Sequence, residues 1–259
     1  MTWQNWGRTH AANPRRELAP SSADEISEIV ATARKAGTTV KTVGAGHSFS
    51  AIAVPDDTLL RLTNLRGLVA VDGTRAILRA GTHLHEIPAL LAPHGLAMTN
   101  LGDIDKQTLA GATSTGTHGT GLHFGGISTQ IVALDLVTGT GAQRSITDPT
   151  ELQAAALGLG ALGIITTITI DCVPAFGIEA VEGPARIDDV LTNLDRAVRD
   201  TDHFEFYWFP HSDAALTKHN RRVDALAAKQ GPSRLRRFVD DELLSNKLFG
   251  VLCEIGVAA

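Results

Sequence analysis

Two short stretches of this 259-residue sequence carry residue types that bind and transform small molecules. The first reads Gly44-Ala45-Gly46-His47-Ser48 and follows a β-rich run at 38–43. The second lies within 102–126 and contains Ala112-Thr113-Ser114-Thr115-Gly116-Thr117-His118-Gly119-Thr120-Gly121. Glycine tolerates positive φ and lets the backbone come close to a ligand. Successive N–H groups in such a turn converge on an anion without any cationic side chain. The interleaved Ser and Thr hydroxyls add donors, and His47 and His118 add imidazoles that change protonation near neutral pH. Any one glycine is better explained as a turn. Two dense clusters, each with histidine and small hydroxyls, point to a flat or phosphorylated ligand.

The Rossmann fingerprint does not fit the first stretch. Phe49 stands where G-x-G-x-x-G needs its third glycine, and Pro55, Asp56 and Asp57 follow instead of an amphipathic helix. A metal-dependent hydrolase is the next reading, since His83, His85, His94, His118 and His123 are numerous. It lacks an H-E-x-x-H, and His83 and His85 are expected at a helix start, where positions i and i+2 do not face each other. No metal site is assigned.

The elements that must hold these loops are legible in outline. Ser22 and Glu25 make an S-x-x-E capping box ahead of a helix at 24–35, with Gly37 beyond its end. Strands are expected at 58–62, 68–71 and 76–79, the last two joined by Asp72-Gly73 as a hairpin. A second helix is expected at 83–91, stopped by Pro93 and Gly95. Residues 102–126 have no long periodic segment and read as an extended loop region. Strands at 131–137 and 143–146, a short helix at 150–157 opened by Asp148-Pro149, and a β-branched strand at 164–173 complete this part. After Pro174 the texture changes, with one helix at 187–198, a strand at 203–209 and a charged helical tail from 233. Phe204, Phe206, Phe209, Cys172 and Cys253 read as core residues, and Arg234, Arg236 and Arg237 as a solvated face.

Composition narrows the classes further. At 43% hydrophobic and 20% charged residues the chain is an ordinary folded protein. A net charge of −5 argues against a general nucleic-acid binder, which needs clustered Lys and Arg. Two cysteines suit a reducing compartment. The first residues lack the order of a secretory signal, and no apolar run reaches the ~20 residues of a membrane span. The expectation is a soluble, cytoplasmic protein.

The two glycine motifs, taken with Ala161-Leu162-Gly163-Ile164-Ile165-Thr166 before the long strand, resemble the FAD-binding domain of the vanillyl-alcohol oxidase flavoprotein superfamily. Within it the sequence is most similar to the aldonolactone oxidoreductases: gulonolactone oxidases and dehydrogenases, arabinonolactone oxidases and alditol oxidases. The resemblance implies an α+β fold: a PCMH-type FAD-binding domain of two α/β subdomains over 1–175, then the start of a substrate domain over 176–259. It implies that Thr42, Val43, Gly44, Ala45, Gly46, His47 and Ser48 wrap the FAD pyrophosphate, with His47 joined covalently to the flavin 8α carbon. It places Thr108, Gly111, Thr115, Gly116, Thr117 and His118 in a second set of FAD contacts, and Ile165 on the adenine side. Asp103 is placed near the flavin ring, and Gly102 where a small residue leaves room for O₂.

The implied reaction is oxidation of a sugar lactone or polyol by hydride transfer to flavin N5, followed by reoxidation by O₂ or another acceptor. The relatives carry substrate residues and a His-Trp-Gly-Lys stretch further on, with no counterpart before Ala259. No catalytic base is therefore assigned beyond Asp103 as a possible group, and a non-catalytic flavin or nucleotide binder stays open.

Overall fold

The computed structural model describes residues 2–208 and 210–225. The charged tail from 233, with Arg234, Arg236, Arg237 and Cys253, lies outside the described residues, as does Phe209.

The chain begins with a small antiparallel pair, Trp3–Gln4 against Ala11–Ala12. A three-stranded parallel sheet follows, ordered Arg16–Leu18, Thr58–Leu60, Val40–Thr42, with helix Ala23–Ala36 in the connection. Ser22 caps that helix by accepting from the Glu25 N–H at 3.1 Å. The reciprocal half of the expected box is displaced by one residue, since Glu25 accepts from the N–H and hydroxyl of Ser21 at 2.7 and 3.0 Å. Gly37 ends the helix at φ +65, a conformation glycine adopts without cost.

Next comes a five-stranded antiparallel sheet ordered Gln143–Ile146, Ile131–Val137, Ile164–Asp171, Arg75–Arg79, Leu68–Asp72. Its inner face supplies Leu78, Leu134, Ile168 and Ile170. They share one core with Ile26 and Val30 of the first helix and Leu152 and Ala155 of helix Pro149–Ala156. Cys172 joins this core as expected, and burial pushes its thiol pKa up.

Two expectations change here. The helix at 83–91 is three short turns: a 3-10 turn Leu84–Glu86, an α turn Ile87–Leu91 and a 3-10 turn Ala92–His94 that ends at Gly95, φ +66. Pro88 and Pro93 each sit in the first turn of a piece, where a missing N–H costs nothing, so they divide the helix. The second glycine stretch is not wholly extended. It contains helix Leu109–Ser114, capped by the Thr108 hydroxyl, and is followed by a 3-10 turn Ile127–Gln130. Leu109, Ala112 and Thr113 form its buried face, a pattern too short to show a period in the sequence.

Beyond Pro174 an antiparallel sheet is ordered Phe176–Arg186, Ala214–Asp224, His203–Trp208. The expected single helix at 187–198 breaks into Ile187–Thr192 and Leu194–Asp200 at Asn193, whose side-chain amide donates to Asp189 O at 2.8 Å. Strand Ala214–Asp224 is too polar to stand out in the sequence, yet it pairs along its whole length with Phe176–Arg186. Phe204 and Phe206 are half-buried rather than core: they share one face of a sheet that stays partly solvated, 6.2 Å apart.

Arg222 ties this sheet to the rest. Its guanidinium lies between the rings of Phe124 (4.1 Å) and Phe176 (4.3 Å) and donates to Thr99 O. His203 stacks on Phe124 at 4.9 Å, and its Nδ1 lies 2.9 Å from Thr120 O.

Candidate functional site

A cleft of about 350 Å³ is lined by residues from the three-stranded parallel sheet and the five-stranded sheet and from the loops that leave them. One wall is the chain leaving strand Val40–Thr42, namely Thr42, Val43, Gly44, Ala45, Gly46, His47 and Ser48. Helix Leu109–Ser114 and its two caps contribute Thr108, Gly111 and Thr115 to the lining. Leu159, Gly160, Gly163, Ile164 and Ile165 close a third side. The two glycine stretches therefore do meet. A Cβ on Gly44 would stand 2.4 Å from Thr108 Oγ1, so only glycine permits this approach.

The first loop is polarised. Its carbonyls face the N-terminal segment: Gly46 O accepts from Trp6 N–H at 2.8 Å and Ser48 O from the Asn5 side-chain amide at 2.9 Å. The N–H groups of residues 44–48 have no acceptor among the described residues. Gly46, at φ +73, makes the bend. Thr42 Oγ1 is buried with no hydrogen-bond partner among the described residues, on the same wall. Backbone donors left without an acceptor on a cleft wall are available to an anion. His47 is half-buried there, and burial holds its imidazole pKa below the ordinary value, which favours the neutral ring. Its ring stacks on Trp6 at 5.4 Å and 25°.

Five of the residues named from sequence stand outside the cleft lining: Gly102, Asp103, Gly116, Thr117 and His118. Gly102 packs on the His118 carbonyl, where a Cβ would come to 2.9 Å. Gly116 turns the chain at φ +72, and Thr117 accepts from Gln107 Nε2 at 3.0 Å. His118 is exposed, with Nδ1 2.9 Å from Gly119 O. Asp103 reaches the C-terminal sheet, accepting from Tyr207 OH at 3.3 Å and from Lys218 Nζ at 3.4 Å. Burial pulls the Lys218 pKa down, but the carboxylates of Glu205 and Asp103 outweigh it and hold the ammonium above its usual range.

Sequence reasoning missed Arg61, Gly81, His83, Gln107, Leu159 and Gly163, all on the cleft wall. Gly81 had a signal, a glycine directly after a strand; a Cβ there would meet Leu62 O at 2.0 Å. Gly163, at φ +150, lies against Val137 O. His83 and His85 do face each other, at 5.4 Å, because His83 is extended (φ −77, ψ 147) and precedes the turn. The helical spacing rule therefore did not apply. Among the described residues no group of three or more His, Cys, Asp or Glu is placed to hold a metal.

Comparison with known proteins decides the family. An FAD binding domain family model matches residues 14–147, more than half of the chain. The chain belongs to this FAD-binding family. A D-arabinono-1,4-lactone oxidase family model matches residues 168–259. L-gulono-1,4-lactone dehydrogenase of Mycobacterium tuberculosis is 37% identical over 224 residues, covering 86% of this chain and 52% of that protein. L-gulonolactone oxidase of Bos taurus is 37% identical over 218 residues, covering 82% and 50%. This FAD-binding chain thus spans about half the length of the curated relatives it matches. Among solved structures, cholesterol oxidase from B. sterolicum superposes with a TM-score of 0.81 at 18% identity, over 90% of this chain and 49% of that one. The α+β, PCMH-type fold expected from the sequence is the fold found. No helix among the described residues is long and apolar enough to cross a membrane.

Proposed function

We propose that the cleft holds FAD and that the whole protein is an aldonolactone oxidoreductase, oxidising an L-gulono-1,4-lactone-like sugar lactone or an alditol. The observation that carries this reading is the row of N–H groups at 44–48 without an acceptor among the described residues, on the lining of a cleft shared with Thr108, Gly111 and Ile165. The residues present fit a dinucleotide. Backbone N–H groups of 44–48 and the orphaned Thr42 hydroxyl would take the pyrophosphate oxygens. Gly44 and Gly111 let the backbone close on the Thr108 hydroxyl, and Ile165 lines the same cleft. Bound there, FAD supplies the two-electron chemistry, accepting a hydride and passing electrons on to O₂ or another acceptor.

The chain's own residues do the rest. Held neutral by burial, His47 keeps a nitrogen lone pair free for a covalent bond to the flavin. Residues 1–175 form the cofactor module in this reading, and 176–259 begin the part that meets substrate. Asp103, Tyr207, Lys218 and Glu205 make a charged group at the junction of the two, where a polyhydroxylated substrate finds donors and acceptors.

The test is spectroscopic. Protein purified after expression with riboflavin should be yellow, and anaerobic addition of L-gulono-1,4-lactone to the full-length protein should bleach the visible flavin band. A folded protein that stays colourless when offered FAD defeats the cofactor reading. Flavin that binds and is not bleached by any lactone or alditol defeats the enzymatic one.

A further inference from the structure

We infer that Trp6 is a positioning residue, whose indole face holds the His47 imidazole in the orientation needed for its bond to the flavin. The inference rests on the flavin reading of the cleft. It begins from what orients His47. Neither ring nitrogen of His47 has a hydrogen-bond partner among the described residues, so the stack on Trp6, at 5.4 Å and 25°, is the contact that fixes the ring plane. Stacking occupies a π face and leaves the nitrogen lone pairs, which lie in the ring plane, free to react.

Trp6 itself is not held in place by burial, since it is 65% exposed. It is held by a frame. Trp6 N–H bonds Gly46 O at 2.8 Å. Its neighbour Asn5, which is buried, donates to Ser48 O at 2.9 Å and accepts from His10 N–H at 3.0 Å. Phe49 meets the indole edge-on at 6.0 Å and 87°. The backbone bond to Gly46 does not depend on the side chain at position 6. Changing the indole therefore removes the stack and leaves the loop tethered.

The step it serves balances as follows. One C–N bond forms between an imidazole nitrogen of His47 and the flavin 8α carbon. A C–H bond at that carbon and the imidazole N–H break, their two protons go to water, and two electrons pass through the flavin to O₂, giving hydrogen peroxide. Placement limits such a reaction, because misplacing a reacting group by about 1 Å can slow a step by about 100-fold.

The experiment uses the full chain, prepared without flavin, mixed with FAD in air and sampled over time. Total bound flavin is read before acid precipitation and covalent flavin in the washed pellet. Trp6→Leu, which keeps apolar bulk without a flat face, should retain total flavin and a wild-type melting temperature. Its covalent incorporation should slow by roughly tenfold or more. Trp6→Phe should recover most of the rate. Equal incorporation rates in wild type and Trp6→Leu overturn the inference while leaving FAD in the cleft. Wild-type protein that binds FAD and releases all of it into acid overturns it too, and again spares the cleft. A wild type that takes up no FAD removes the reading beneath it. If Trp6→Leu melts early, Phe49→Ala, which removes the edge-on contact to the indole, must slow incorporation by itself, or the inference is wrong.

Discussion

Gly44 lies so close to the Thr108 hydroxyl that a methyl group on its Cα would come to 2.4 Å from Oγ1. The same hydroxyl caps helix Leu109–Ser114 by accepting from Gly111 N–H at 3.2 Å. One oxygen thus sets both the helix start and the width of the cleft. Gly44→Ala should push the Thr108 side chain out of its cap, at about 1 kcal/mol of stability, and should lower the flavin-to-protein ratio of purified protein several-fold. Thr108→Ala added to Gly44→Ala should bring flavin content back towards wild type, a non-additivity expected of residues in contact. Independent, additive losses would show that the contact does not control the cleft.

Gly81 meets backbone where Gly44 meets a side chain. A Cβ at Gly81 would stand 2.0 Å from Leu62 O and 2.8 Å from Leu65 O, and neither carbonyl can rotate aside. Gly81→Ala should cost about 3 kcal/mol in urea unfolding. Gly139→Ala, with nothing within 4 Å of its Cβ, should be nearly silent. Similar midpoints for the two variants would contradict the packing described.

In the proposed covalent attachment the His47 imidazole reacts only when unprotonated, and burial lowers its pKa from 6.5. Lowering the pKa moves the loss of the neutral form to more acid solution. Covalent flavin incorporation should therefore rise with pH, reach half its maximum below 6.5, and be flat by neutrality. A rate still climbing on the alkaline side would mean that another group is titrating.

Arg222 sits between two aromatic faces, where a desolvated cation–π contact is worth up to about 2 kcal/mol. Arg222→Leu should lower the melting temperature. Arg222→Lys should not rescue it, because an ammonium cannot lie flat between Phe124 and Phe176 or keep the planar donors that reach Thr99 O. Full rescue by lysine would assign the effect to charge alone.

Much of this was legible in the residues because the signals were local. Ser22, Gly37 and the Asp72-Gly73 hairpin mark their own positions, and loop 44–48 announces itself by composition. What stayed hidden depends on contacts distant in sequence. Gly81 and Gly163 stand out as glycines, but the carbonyls of Leu62 and Val137 that require them are distant in sequence. Helix Leu109–Ser114 is shorter than two turns, so its buried stripe had no room to repeat. Strand Ala214–Asp224 carries Lys, His, Asn and two Arg, and its place is set by its partner strands rather than by propensity. Asp103 was expected by analogy beside the flavin, whereas its observed partners, Tyr207 and Lys218, come from a sheet whose register no local pattern gives.

The third side of the cleft, Leu159 to Ile165, bears on how the protein is made. A nascent chain has loop 44–48 and the capped helix well before it has this part of the lining, and the strand that follows it, Ile164–Asp171, is the central strand of the five-stranded sheet. The cleft is complete only once that strand has docked between Arg75–Arg79 and Ile131–Val137. A chain stalled or cleaved before that point has loop 44–48 and helix Leu109–Ser114 but lacks this side of the cleft.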